Sequence, residues 1–201
     1  MIKAAVFDFD GVVYIEGELF SIRFSRDYGI PLEKIAPFFE NEFQKCLLGQ
    51  ADLKEELKKY LPKWGWKQNV NSFLDYWFDR GGQNQDVAGL VRDMRKSGIK
   101  CILCTNNEKY RVSWLRKKLR LDDAFDEILA SYKIGAKKPD IEVFEKVIEI
   151  TGLMPEEIMF CDDDKEHIAA AKKYGMTAVM FKGAEHLKKE LHERGILKAP
   201  N

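Results

Sequence analysis

Ala4-Ala5-Val6-Phe7-Asp8-Phe9-Asp10-Gly11-Val12-Val13 is the stretch that decides the fold. Its apolar opening reads as a strand buried on both faces, the kind found in parallel sheets covered by helices. Two carboxylates stand where that run ends. Asp8 and Asp10 are two apart, so they share a side for as long as the backbone stays extended, and Gly11 then permits a sharp turn. Ligands of open α/β sheets sit at the carboxyl ends of the strands, which puts this acid pair at the mouth of a candidate site. Asp and Gly are also ordinary turn residues, so the rest of the chain has to decide.

Outward from that stretch, 12–20 is irregular and reads as a connector. From about Ser21 to Arg80 the pattern turns helical and strongly aromatic, with breaks at Gly29-Ile30-Pro31, Gly49, Pro62 and Gly65 that predict four short helices. A bundle this small needs large side chains to bury enough area, so most of its Phe, Tyr and Trp residues are expected in its own core. Gly81-Gly82 marks the return. Predicted helices 86–97, 109–119, 142–151 and 166–174 then alternate with strands 99–104, 128–130, 158–161 and 177–181. Such alternation predicts an α/β fold with a doubly wound parallel sheet. The expected domains are a Rossmann-like core, 1–14 and 82–201, and a helical cap, 15–81, inserted after the first strand.

Composition narrows the function classes. Lys+Arg and Asp+Glu balance at 33 each in 201 residues, so no basic field argues for nucleic acid, and a small partner is expected. The basic run Arg111, Arg116, Lys117, Lys118 and Arg120 reads as the exposed face of a helix, and Lys137 as a residue facing water. No secretory signal pattern opens the chain and no apolar run reaches spanning length, which leads to the expectation of a soluble cytoplasmic protein with no membrane partner. Cys46, Cys101, Cys104 and Cys161 lie mostly in apolar runs and read as reduced core thiols. Cys101 and Cys104 are three apart in a predicted strand and face opposite ways, against a zinc or redox pair. Oligomeric state leaves no trace in the sequence.

Polar clusters follow the other strands: Thr105-Asn106-Asn107 after 99–104, and Asp162-Asp163-Asp164 after 158–161. Lys137-Lys138-Pro139-Asp140 precedes a helix. A parallel sheet brings Asp8, Asp10, Thr105, Lys138 and the acidic triplet to one edge. So many carboxylates are tolerable together only around a cation. The donors are all hard oxygens, with no His or Cys cluster beside them, so the expected cofactor is Mg²⁺. A hydroxyl and an ammonium opposite suit a phosphoryl group, and a carboxylate not engaged with metal is free to attack phosphorus.

Asp8-Phe9-Asp10-Gly11-Val12, Thr105-Asn106, Lys138-Pro139-Asp140 with Phe144, and Asp162-Asp163 resemble, in order and spacing, the four motifs of the haloacid dehalogenase (HAD) superfamily. The chain is similar to the subfamily with a helical cap between the first two motifs, and its acidic pair to the epoxide-hydrolase amino-terminal and sugar-phosphatase branch. The resemblance implies that Asp8 is a nucleophile forming an aspartyl-phosphate, with Asp10 as proton donor to the leaving alkoxide and then base toward water. It implies phosphoryl binding by Thr105, the backbone at Asn106, and Lys138. Mg²⁺ would be held by Asp8, the main-chain carbonyl of Asp10, and Asp163, with Asp162 a second ligand or outer-shell acid and Asp164 a helix cap. His167 departs from the Asp or Asn usual at its position; His186 and His192 read as solvated. The dehalogenases lack an acid at the position of Asp10, because halide leaves without a proton.

The implied activity is hydrolysis of a small phosphorylated metabolite. A phosphomutase would share the same core groups and differ in the cap. A signalling receiver domain also gathers acids, Thr and Lys around a phosphorylated Asp, but it orders them differently along the chain and has no helical insertion after its first strand.

Overall fold

A computed structural model describes residues 1–197 of the chain. Strand β1 (Ala4–Phe7) is fully buried, and the chain leaves it through Asp8 to Gly11 into a short strand, β2 (Tyr14–Glu16). Five helices follow: α1 (Phe20–Tyr28), α2 (Leu32–Glu40), α3 (Glu42–Leu47), α4 (Leu53–Tyr60) and α5 (Val70–Phe78). This is one more than the glycine and proline breaks predict. The extra break falls at Asn41, whose φ of −118° and ψ of −81° leave the helical region and whose side-chain amide donates to the carbonyl of Pro37 at 2.8 Å. The local bond offers the backbone an alternative to continuing the helix.

The return strand β3 (Gly81–Gln83) pairs antiparallel with β2, Ile15 opposite Gly82. Both expected domain boundaries therefore fall in one two-stranded ribbon. Gly81 is needed there, since a Cβ on it would stand 2.3 Å from the Ile15 carbonyl oxygen. The helices bury a core of their own, including Phe24, Phe38, Leu57, Trp64, Phe73 and Trp77, as their aromatic content predicts. Each such side chain contributes roughly 1.5–3 kcal/mol when taken fully from water.

Beyond the ribbon come α6 (Gln85–Lys96), β4 (Lys100–Thr105), α7 (Lys109–Leu119), α8 (Leu121–Ala124), β5 (Glu127–Ala130), α9 (Ser131–Ile134), α10 (Ile141–Thr151), β6 (Ile158–Asp162), α11 (Lys165–Lys173), β7 (Thr177–Met180) and α12 (Ala184–Glu193). The five-stranded parallel sheet runs β5-β4-β1-β6-β7. Side-chain alternation divides its two faces. Ala5, Phe7, Cys101, Leu103 and Cys161 pack with Val91 and Met94 of α6 and Leu187 and Leu191 of α12, while Ala4, Val6, Ile102, Cys104 and Phe160 pack with Phe144 of α10 and Ile168 of α11. Cys101 and Cys104 thus lie on opposite faces, and all four cysteines are buried free thiols. Helix α12 carries His186 and His192, which are half-buried rather than solvated, because the spacing of the buried Leu187 and Leu191 gives the helix an inward stripe that draws their flanks against the core. Among the described residues no helix is long and apolar enough to cross a membrane.

Candidate active site

Register builds the site. Phe7 lies opposite Leu103 on one side and Cys161 on the other, so the next residues along, Asp8 and Asp162, emerge side by side with Thr105 close behind. The Asp8 amide donates to the Cys161 carbonyl at 2.9 Å, and the Asp8 carboxylate accepts from the Phe9 amide at 2.6 Å. Lys138 reaches the same edge from the loop before α10. Its buried ammonium donates to Asp8 Oδ1 at 2.6 Å and to Asp162 Oδ2 at 2.7 Å. The Asn106 side chain holds that loop by its peptide: the Lys138 amide donates to Oδ1 at 2.8 Å, and Nδ2 donates to the Lys138 carbonyl at 2.9 Å.

Asp8, Asp162 and Asp163 each offer a carboxylate oxygen within 4.8 Å of the other two. Lys138 pairs with the first two, and no Lys, Arg or His among the described residues forms an ion pair with Asp163. Burial pushes the Asp8 carboxyl up to about 7 against the pull of Lys138, with the charges of Asp162 and Asp10 adding to the rise. Burial also raises Asp163, helped by Asp162. Asp162 moves the other way, because the bonds from His167 and Lys138 and the lysine charge outweigh its burial. Three hard carboxylates with one ammonium among them fit a divalent cation. Gly11 makes room for the cluster: with φ at +88°, a Cβ there would stand 2.2 Å from Asp163 Oδ2.

His167, the departure from the familiar pattern, places Nδ1 3.1 Å from both oxygens of Asp162, so it orients a carboxylate of the cluster. Asp164 caps α11, accepting from the Glu166 amide at 2.7 Å. Lys137 is half-buried and donates to Gln44 of α3 at 2.6 Å, tying the loop to the helical segment rather than facing water.

Around Asp10 the structure adds groups that sequence reasoning missed. Asn107 Nδ2 donates to Asp10 Oδ2 at 2.7 Å and to the Thr105 hydroxyl at 2.6 Å. Arg111 is not on an exposed face: it is 3% exposed and donates to Asp10 Oδ1 at 2.5 Å and to Glu16. Arg80 closes the chain of charges, donating to Glu16 at 2.5 Å. The network joins Asp10 to both sides of the ribbon, through Glu16 on β2 and Arg80 just before β3. Helical phase carried the signal for Arg111, which stands four residues before the buried Leu115 and beside Val112. At the start of α7, Glu108 caps the helix by accepting from the Tyr110 and Arg111 amides at 2.7 and 2.6 Å, and burial pushes its carboxyl up to about 7 against those bonds.

A cleft of about 330 Å³ opens between the helical segment and the sheet edge, lined by Asp10, Asn106, Asn107 and Arg111 below, Arg80 at the ribbon, and Leu19, Phe20, Ser21, Phe39, Phe43 and Trp77 above.

Comparison with known proteins gives this geometry a family. The bifunctional epoxide hydrolase 2 of Sus scrofa is 22% identical across 96% of this chain, which spans only 38% of that protein's length. The phosphorylated carbohydrates phosphatase of Thermotoga maritima is 24% identical, with 88% of this chain and 83% of that one covered. A HAD family enzyme of Bacteroides thetaiotaomicron, solved in complex with magnesium and inorganic phosphate, superposes with a TM-score of 0.78 at 21% identity, covering 90% of this chain and 95% of that one. The family described as haloacid dehalogenase-like hydrolase matches residues 2–175. Together with the strand-end acids and their lysine, that match establishes that the chain belongs to the haloacid dehalogenase-like hydrolases.

Proposed function

We propose that the protein is a Mg²⁺-dependent phosphatase that hydrolyses a small phosphomonoester through an aspartyl-phosphate on Asp8. The observation that carries this reading is the gathering of Asp8, Asp162 and Asp163 within 4.8 Å of one another, with Lys138 bonded to two of them. Asp8, Asp163 and the Asp10 carbonyl would hold the cation, with Asp162 ligating or supporting it. Bound there, Mg²⁺ supplies positive charge that draws phosphoryl oxygens toward the Asp8 carboxylate. The relatives whose names are phosphatases, and the structural neighbour that holds magnesium and phosphate, support the same reading.

In this reading Asp8 attacks phosphorus as the bond to the ester oxygen breaks, and Asp10 gives the departing alkoxide its proton. Asp10 then takes a proton from the water that attacks the acyl-phosphate, which returns Asp8 and releases phosphate. Thr105 and Lys138 bind phosphoryl oxygens, and Asn106 keeps Lys138 in place. Arg111 and Asn107 hold one Asp10 oxygen each, so the acid is oriented before substrate arrives. The helices over the cleft serve as a cap that excludes water and admits the alcohol half of the substrate.

Phosphate release from a panel of phosphorylated metabolites tests the reading. Release with Mg²⁺, and none with a chelator, is the expected result; isomerised product without phosphate would point to a mutase instead. Asp10→Asn is expected to lower kcat/KM, which reports the steps up to departure of the alcohol, by about 10²–10⁴-fold for alkyl phosphates, which need a proton on the leaving oxygen. The same variant should lose far less with para-nitrophenyl phosphate, whose leaving group needs none. Equal losses of kcat/KM for both esters would remove the acid role from Asp10, whereas a loss of kcat common to both reports its role as base toward water.

A further inference from the structure

The cleft above Asp10 has two unlike walls. Its floor is polar and partly engaged: each Asp10 oxygen accepts a bond, from Arg111 and Asn107, and the Asn106 amide is taken up by the Lys138 peptide. The opposite wall is apolar. Phe20, Phe39 and Phe43 pack around Trp77 with ring centroids 4.8, 5.2 and 5.1 Å from it, and Leu19 stands 63% exposed at the rim. Ser21 is the one polar side chain on that wall; the Nε–H groups of Arg80 and Arg111, which have no acceptor among the described residues, are themselves buried.

We infer that this wall selects the alcohol half of the substrate: the protein takes phosphomonoesters whose carbon skeleton beside the ester oxygen is apolar, a ring or a branched chain, in preference to polyhydroxylated sugar phosphates. The inference rests on the phosphatase reading and deepens it. A sugar laid against the half-buried rings of Phe39 and Phe43 and the exposed Leu19 would strip water from several hydroxyls and find acceptors or donors for few of them on that wall. Each hydroxyl left unpaired weakens binding by roughly tenfold. A hydrocarbon ring loses nothing there and gains burial. The Ser21 hydroxyl suits a single polar atom on the skeleton, not a ring of hydroxyls.

The test compares 2-phenylethyl phosphate with glucose 6-phosphate, both esters of primary alcohols, so that leaving-group reactivity does not decide the result; acetyl phosphate, an acyl phosphate whose small acetate leaving group reaches little of the wall and needs no proton, is the reference. The expected kcat/KM for 2-phenylethyl phosphate exceeds that for glucose 6-phosphate by at least about tenfold. Phe43→Gln should lower the ratio of 2-phenylethyl phosphate to acetyl phosphate turnover by about tenfold, and Leu19→Gln at the exposed rim should lower it in the same direction should the first variant fold poorly. Glucose 6-phosphate turned over as well as or better than 2-phenylethyl phosphate, with acetyl phosphate hydrolysed, overturns the inference and leaves the phosphatase reading standing. Ratios unmoved in both folded variants overturn it equally. No phosphate from any compound, acetyl phosphate included, overturns the phosphatase reading and this inference with it.

Discussion

Asp8→Asn is expected to reduce phosphatase turnover by at least about 10³-fold while the protein stays folded, because it removes the attacking oxygen and almost no volume. The new amide oxygen can still accept from the Lys138 ammonium and the Phe9 amide, the two bonds that the carboxylate makes at 2.6 Å. Asp162, fully buried, remains as a counter-charge for the lysine. Stability should even shift in the variant's favour as pH rises. Asp8 is pushed up to about 7 from 3.8 by burial, so without a cation the unfolded chain gives up this proton before the folded one does. Native stability from this group therefore falls as pH climbs from about 4 to 7 and levels off above. Asparagine has no such loss. Thermal unfolding in chelator at pH 5 and pH 8 reads the difference, and phosphate release reads the chemistry. A variant with native melting and native turnover would move the nucleophile elsewhere.

The parts of this site that were legible in the sequence are those fixed by strand ends. Asp8, Thr105 and Asp162 each end or follow an apolar run, and a parallel sheet has only one edge where such ends meet. Lys138 could be placed because its loop is short and leads straight into α10. What stayed hidden depends on directions that a one-dimensional pattern blurs. Arg111 was grouped with the basic residues that follow it, although Arg116, Lys117, Lys118 and Arg120 are half-buried or exposed and Arg111 alone turns inward. The charge count of that helix masked its phase. Glu16 and Arg80 are 64 positions apart, and only the pairing of β2 with β3 brings them together. The glycines that allow the pairing read as a hinge, because nothing local distinguishes a glycine that bends from one that admits a neighbouring carbonyl. Which aromatics line the cleft was equally out of reach, since Phe24 and Phe43 differ in surroundings and not in residue type.

Lys138→Met carries the second large expectation, on stability as well as rate. The ammonium sits between Asp8 and Asp162, with side-chain exposures of 1%, 11% and 0% respectively. Their charges outweigh the burial of Lys138 and raise its pKa above the ordinary lysine value. Methionine fills similar space and leaves two buried carboxylates facing each other. Removing one partner of a buried ion pair destabilises by about 3–5 kcal/mol, an effect several times that of an average surface substitution. Urea unfolding in chelator at pH 8 should show a loss of that order. It should shrink as pH falls, because a proton on either acid relieves the repulsion that the lysine had relieved. It should shrink also on adding Mg²⁺, since a cation among Asp8, Asp162 and Asp163 replaces the missing charge. Turnover should remain low, by about 10²–10³-fold, even where stability recovers, because the ammonium that met the phosphoryl oxygens is gone. Full recovery of both by Mg²⁺ would reduce Lys138 to a counter-ion for the acids. Recovery of the fold without recovery of turnover separates its two roles and assigns one of them to the phosphoryl group.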